Sequence, residues 1–459
     1  MNSLDILILV MLLITTVHVL ISSKRANSIL TISTGLLALL LVIQFFWKGF
    51  YWQYIPTYLQ SCLLMIAIYG KLGSRRKLLH LSLGILTVVA LVPWAIFLPV
   101  PGLTKPVGKY FVGTQIFRWV DSTRAEQISE DPFDKRNVIV QAWYPAQGDA
   151  KGTHSLYLDG LPTLPPKVSV IPSFLMDHYD QIDTYAVINA APAKAREKWP
   201  VVLFLPGYGA ARAFYTSLAV GIASHGYVVL CLDHPYEAAI TQLANGKLAT
   251  TIENFQPGDP DRLGFMKDRL DIRVADVKFV INQIENKSSN ADTFFTSLDL
   301  NRIGIAGHSL GGATGAAAMA DESRIKAAVN IDGTLYGGLP KSTVYRPFLL
   351  IESKKDEVGR FERYEAGNQA LFKQFHGGYR YELEDADHYS FTDVPLLLAP
   401  PARLLAGYVL SIGQQSKKTH KATVSLLDAF FDHTLNGNPS QIDAVANRYE
   451  SIARKSVAY

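Results

Sequence analysis

Hydrophobic and polar positions divide this chain into two regimes. Through the first hundred residues apolar side chains run almost unbroken in four stretches, Leu4–Ser22, Ile29–Trp47, Trp52–Tyr69 and Leu79–Leu98. Each approaches the ~20 residues that an α-helix needs to cross a bilayer. A helix is required there, because lipid offers no partner to backbone N–H and C=O groups. The first stretch does not read as a cleaved leader: Asp5 stands where a leader is positively charged, and no small-residue cleavage site follows. The pattern therefore predicts a four-helix transmembrane block over residues 1–100. Trp47, Tyr51, Trp52 and Trp94 fall near the ends of the stretches, where amphipathic rings suit the membrane interface.

Past residue 100 the pattern changes. Pro99, Pro101, Gly102 and Pro106 punctuate a linker, residues 101–111. Short apolar runs then alternate with helical patterns over residues 112–459. The runs Val138–Tyr144, Val201–Leu205, Tyr227–Leu232, Ile303–Ala306, Ala327–Ile331, Phe348–Ile351 and Tyr379–Leu383 read as strands, most of them covered on both faces. Helical periodicity fills Ala213–Ser224, Arg269–Glu285, Leu310–Ala320 and Glu362–Phe375. The alternation predicts an α/β domain: a mostly parallel central sheet flanked by helices. Asn286–Thr296 reads as a loop. Asn245-Gly246 marks a hairpin that, with the polar stretch Asn254–Arg262, is a candidate cap beside a site.

Composition and charge narrow the function. Half the residues are hydrophobic and the mean hydropathy is +0.13, as a lipid-facing segment requires. Forty-four basic against forty acidic residues, without long basic runs, give no nucleic-acid footprint. Two cysteines, Cys62 and Cys231, both in apolar surroundings, provide neither a disulfide framework nor a cysteine metal site. No metal and no cofactor are called for. Without a clear charged pair inside the spans, transport and proton relay lack support, and the block reads as an anchor. Lys24 and Arg25 follow span one, and Lys71, Arg75, Arg76 and Lys77 follow span three, while the loop after span two holds only Lys48. Basic loops stay inside, so both the N-terminus and the domain after Leu98 are expected outside: a multi-pass cell-membrane protein with an extracytoplasmic catalytic domain.

The chemistry is concentrated in Gly304-Ile305-Ala306-Gly307-His308-Ser309-Leu310-Gly311-Gly312, which contains Gly-x-Ser-x-Gly between a hydrophobic strand and a helix of small residues. That context describes a nucleophile elbow. Its sharp strand-to-helix turn lifts the Ser309 hydroxyl above the positive end of the following helix. A serine hydroxyl needs a base, and His388 follows the last predicted strand, where the base is expected. Two acids keep the order Ser, Asp, His: Asp332 after Ala327–Ile331 and Asp356 after Phe348–Ile351. Asp332 is favoured, because it leaves its strand abruptly beside Gly333, whereas Asp356 sits among lysines. For the oxyanion the candidate donors are the backbone amides of Leu310, next to the nucleophile, and of Tyr208, in the turn Gly207-Tyr208-Gly209.

Taken together, Pro206-Gly207-Tyr208-Gly209-Ala210, Ala223-Ser224-His225-Gly226-Tyr227, Asp233-His234-Pro235, the elbow around Ser309, Asp332 and His388-Tyr389-Ser390-Phe391 resemble the platelet-activating factor acetylhydrolase family and its bacterial dienelactone-hydrolase-like relatives. The resemblance covers about residues 112–437. It implies an α/β-hydrolase fold, favours Asp332 as the acid, and implies cleavage of short or oxidised acyl chains from phospholipids or small esters without calcium. Pro206 departs from it, since many relatives carry histidine there. The four spans lie outside the likeness to the animal enzymes. The expectation is a membrane-anchored serine carboxylic ester hydrolase whose partners are an ester or phospholipid and the bilayer. An acyltransferase with the same triad, and a silent hydrolase-fold sensor or scaffold, are the rivals. Oligomeric state is left open.

Overall fold

The computed structural model describes residues 3–21, 28–70, 76–148, 152–161, 163–168, 171–194, 198–252, 261–289, 293–336, 345–354, 360–410, 412–413 and 415–457. The chain forms two compact units, Met1–Pro101 with Leu397–Leu405, and Gly102–Leu396 with Ala406–Tyr459.

In the first unit the apolar stretches become α1 (Ser3–Ile21), α2 (Ser28–Lys48), α3 (Ile55–Tyr69) and α4 (Arg76–Ile96). Among the described residues three helices are long and apolar enough to cross a membrane, in α1, α2 and α4. This corrects the expected count of four. Pro56 and a preceding 3₁₀ turn, Trp52–Tyr54, leave α3 only 15 residues long, about 22 Å of α-helix against a hydrocarbon core of about 30 Å. Lys24, Arg25, Lys71 and Arg75, on which the orientation reading relied, lie outside the described residues. The interior of this unit is partly polar. The Tyr54 hydroxyl donates to Asp5 (2.8 Å), and Gln60 Nε2 donates to Thr16 (2.8 Å) and Thr87 (2.7 Å). Such bonds hold helices together where lipid supplies no hydrophobic drive. Pro400–Leu410, absent from the sequence reading, is a further helix whose first residues join this unit.

The second unit is built on a ten-stranded sheet. Its strands are β1 (Phe111–Ala125), β2 (Lys135–Ala146), β3 (Ala186–Ile188), β4 (Trp199–Leu205), β5 (Val228–Asp233), β6 (Leu298–His308), β7 (Ile325–Ile331), β8 (Phe348–Ser353), β9 (Tyr379–Leu383) and β10 (Ile452–Arg454). Their spatial order is β10-β9-β8-β7-β6-β4-β5-β2-β1-β3. From β9 to β5 every neighbouring pair is parallel, and β2 pairs antiparallel with β1 and β5. The sequence missed β1 because it is exposed in part along its length and lacks a clean apolar run. The central strands are buried throughout, as their continuous apolar runs require.

Helices cover both faces. Val277, Val280 and Ile281 of α6 (Arg262–Ser288) cluster with Ala316 and Met319 of α7 (Leu310–Asp321), over Ile303 and Ile305. A Cβ at Gly304, between those isoleucines, would instead meet Phe431 of the helix Ser416–Thr434. Successive strand residues face opposite ways, so that helix lies on the other face, packed on α5 (Thr216–Ser224) through Val424 and Gly221. The expected hairpin forms: Ile240–Gln242 pairs antiparallel with Leu248–Thr250, and Gly246 takes φ +84°. The neighbouring cap candidate is mostly outside the described residues, 253–260 among them. The predicted loop Asn286–Thr296 is shorter than expected, since α6 runs to Ser288 and Thr293–Thr296 forms one helical turn.

Candidate active site

Register brings three strand ends together. Gly307 of β6 is level with Leu205 of β4 on one side and Asn330 of β7 on the other. The turn after Leu205, the residue after His308 and the residue after Ile331 therefore emerge side by side. This is where open α/β sheets hold their ligands.

Ser309 sits between β6 and α7 with φ 56° and ψ −123°, a conformation costly for a residue with a Cβ. The surrounding glycines make it possible. A Cβ on Gly307 would overlap the backbone of Gly311, and one on Gly311 would overlap the Leu205 carbonyl. The turn is fastened by Ser309 N–H donating to the Ile331 carbonyl, 2.9 Å. His388 begins a short 3₁₀ turn, His388–Phe391, in which Asp387 caps the amides of Tyr389 and Ser390. His388 Nε2 lies 3.1 Å from Ser309 Oγ, and its Nδ1 lies 2.7 Å from Asp332 Oδ2. Beside a buried carboxylate Nδ1 carries the ring proton, which leaves Nε2 as the acceptor facing the hydroxyl.

Asp332 is 2% exposed and leaves β7 with φ 52°. Its Oδ1 accepts from Ser353 N–H and its Oδ2 from Ser353 Oγ, both at 2.8 Å. The other candidate acid, Asp356, lies outside the described residues. Sequence reasoning missed Ser353; it is the last residue of β8, so its neighbourhood to Asp332 depends on pairing of β7 with β8 that spacing does not reveal.

The turn holding Tyr208 is braced from several sides. Gly207 N–H donates to the Tyr215 hydroxyl (3.0 Å) and Gly209 N–H to the Glu237 carbonyl (3.0 Å). A Cβ at Gly207 would lie 3.3 Å from that of Ser309, so the turn runs against that serine. Behind it Arg273 Nη1 donates to the Pro206 carbonyl (2.7 Å) and Nε to Glu237 Oε2 (2.8 Å), with both side chains 1% exposed. His308, the variable residue of the motif, touches the Tyr215 hydroxyl through Nδ1 (2.8 Å) and the His388 carbonyl through Nε2 (2.9 Å). Leu310 opens α7, where the first amides have no acceptor within the helix. Arg273, Glu237 and Tyr215 were not singled out from sequence. The available signal was charge on the apolar face of the predicted helix Arg269–Glu285. Among the described residues no group of histidine, cysteine, aspartate and glutamate has the arrangement to hold a metal ion.

Comparison with known proteins agrees with this architecture. The family model for platelet-activating factor acetylhydrolase, isoform II, matches residues 102–399. A probable 1-alkyl-2-acetylglycerophosphocholine esterase of Arthroderma benhamiae is 29% identical over 271 residues, covering 54% of this chain and 64% of that one. Platelet-activating factor acetylhydrolase of the dog is 22% identical over 256 residues, covering 49% and 56%. The chain thus spans less than two thirds of the length of these relatives. Among solved structures, a ferulic acid esterase from Streptomyces cinnamoneus superposes with a TM-score of 0.64 at 25% identity, covering 78% of this chain and 99% of that one. With a matched region, residues 102–399, that takes in Ser309, Asp332 and His388 alike, the chain belongs to the platelet-activating factor acetylhydrolase isoform II family.

Proposed function

We propose that the protein is a membrane-anchored serine carboxylic ester hydrolase that works through an acyl-enzyme on short-acyl or phospholipid-like esters. The observation that carries this reading is the unbroken relay from Ser309 Oγ to His388 Nε2 (3.1 Å) and from His388 Nδ1 to Asp332 (2.7 Å). His388 takes the Ser309 proton as Oγ attacks the ester carbonyl, and Asp332 stabilises the imidazolium that forms. The amides of Tyr208 and Leu310 donate to the oxyanion. The imidazolium then protonates the leaving alcohol, and water, activated by the same imidazole, releases the acid. The braced Tyr208 turn and the position of Leu310 at the head of α7 support those two donors. The names of its relatives, an acetylglycerophosphocholine esterase and an acetylhydrolase, support an ester with a short acyl chain.

The apolar helices of the first unit support attachment to a bilayer, and the basic residues Lys24, Arg25, Lys71, Arg75, Arg76 and Lys77 of the sequence support an extracytoplasmic catalytic unit. The test is a panel of p-nitrophenyl esters of increasing chain length together with short-chain phospholipids, comparing wild type with Ser309→Ala. Turnover is expected only in wild type, with fluorophosphonate labelling of Ser309. Equal turnover by both proteins overturns the reading.

A further inference from the structure

Helix α6 presents Phe265, Arg269, Arg273 and Asp276 along one face, at i, i+4, i+8 and i+11. Two of its three charged groups are matched. Arg273 binds Glu237 and the Pro206 carbonyl. Asp276 receives Arg136 and Arg124 and faces His234. Arg269 is different. It is 9% exposed, yet its Nε and Nη1 are buried with no hydrogen-bond partner among the described residues. Its Cζ lies 5.2 Å from the centre of the Phe265 ring. The ring offers the cation a π contact and leaves Nε–H and Nη1–H without an acceptor among the described residues.

We infer that the buried Nε–H and Nη1–H groups of Arg269 mark a binding subsite for an oxyanionic group, phosphate or carboxylate, carried by the ester substrate. Burying a guanidinium without an acceptor is costly. Each of the two N–H donors is matched by an anionic oxygen, to which a charged donor bonds more strongly than to a neutral one. The location suits a substrate contact. The Phe265 ring packs edge-on against that of Tyr208, with centroids 5.8 Å apart. Met266 and Leu270, the sequence neighbours flanking Arg269, cluster with Leu310 and Ala313 directly after Ser309. The subsite rests on the hydrolase reading above, and it narrows the substrate to esters that carry a negative charge.

The test uses the full chain in detergent and two pairs of esters. p-Nitrophenyl butyrate against mono-p-nitrophenyl succinate places the charge in the acyl part. Dibutyrylglycerol against dibutyrylglycerophosphate places it in the alcohol part. Arg269→Gln is expected to lower kcat/KM for the anionic member of one pair by about tenfold or more, through KM, and to leave the neutral members unchanged. Arg269→Lys, which keeps the charge and loses the Nε donor, recovers part of the loss. The pair that responds says which end of the substrate bears the anion. Inorganic phosphate supplies a readout without turnover: it should raise the unfolding temperature of wild type and not of Arg269→Gln. The variant itself should unfold no earlier than wild type, since it removes an unpaired buried charge. Equal losses on neutral and anionic esters, no loss on either pair, or a phosphate shift that survives Arg269→Gln would each overturn the subsite. A wild type inert to all four esters and to fluorophosphonate would instead defeat the hydrolase reading, and the phosphate shift would still decide the subsite.

Discussion

Asp332 shows how much at this site depends on one side chain. Its carboxylate receives three donors, the Ser353 amide, the Ser353 hydroxyl and His388 Nδ1, while it is almost wholly withdrawn from water. Two consequences are measurable. Replacing the carboxylate in Asp332→Asn puts a donor against Nδ1 and favours the wrong tautomer. kcat is expected to fall by about 10⁴ with little change in KM, as for other serine triads. Ser353→Ala is gentler. It removes one of the donors that hold the Asp332 carboxylate while the Ser353 amide keeps its bond. kcat should therefore fall by about tenfold, far less than for Asp332→Asn, with little change in KM. A loss as large as that of Asp332→Asn, or none, would mean that Ser353 does not act by holding the carboxylate.

Elements place these side chains, and here the physical couplings run over long stretches of sequence. The loop after His388 is tied to the helix after the Tyr208 turn by Asp393, whose Oδ2 accepts from Ser217 N–H at 3.1 Å. Burial pushes the Asp393 carboxyl up to about 7. The adjacent His420, also buried, is pushed down to about 4; it contacts the Thr104 hydroxyl and the Thr392 carbonyl and has no need of a charge. Their linkages oppose each other. Between about pH 4 and 7 the folded chain holds a proton on Asp393 that the unfolded chain has released, so this group loses stability as pH rises through about 7. Between about 4 and 6.5 the unfolded chain protonates His420 while the folded chain does not, so this group loses stability as pH falls. Wild type should be nearly level from pH 4.5 to 6.5. Asp393→Asn should uncover the histidine, so that the unfolding temperature drops by a few degrees on acidification across that interval. A wild-type-like level curve in the variant would refute the coupling. Arg273→Met should act on the turn: leaving Glu237 charged and alone in the core costs about 3–5 kcal/mol, measurable by denaturant titration. These couplings also explain what the sequence could disclose. Central strands and the elbow were legible because continuous apolar runs and Gly307-His308-Ser309-Leu310-Gly311 encode them locally. The Arg273–Glu237 brace joins residues 36 positions apart, and Thr104 meets His420 across 316. Such pairings follow from strand order and carry no local signature. β1 escaped for a different reason, its partial exposure.

At the scale of the molecule the open physical question is the third apolar segment, on which the side of the catalytic unit depends. With three crossings the two ends of the helical block lie on opposite sides of the membrane; with four they lie on the same side. α3 alone is short, but the 3₁₀ turn Trp52–Tyr54 leads straight into Ile55. Together they rise about 28 Å, close to the hydrocarbon thickness of about 30 Å. α3 also contributes Gln60, whose amide donates to both α1 and α4, so it lies inside the bundle. Among the described residues three helices meet the length a crossing needs and α3 does not, so reporter fusions on either side of α3 decide whether the turn before it completes a crossing. If it does, alkaline phosphatase is active after Pro101 and after Gly49 and inactive at residues 71–75. If the third segment enters and returns on one side, the fusions after Gly49 and at residues 71–75 report the same side. In that case the phosphatase after Pro101 falls silent while a cytoplasmic reporter at the same point lights up.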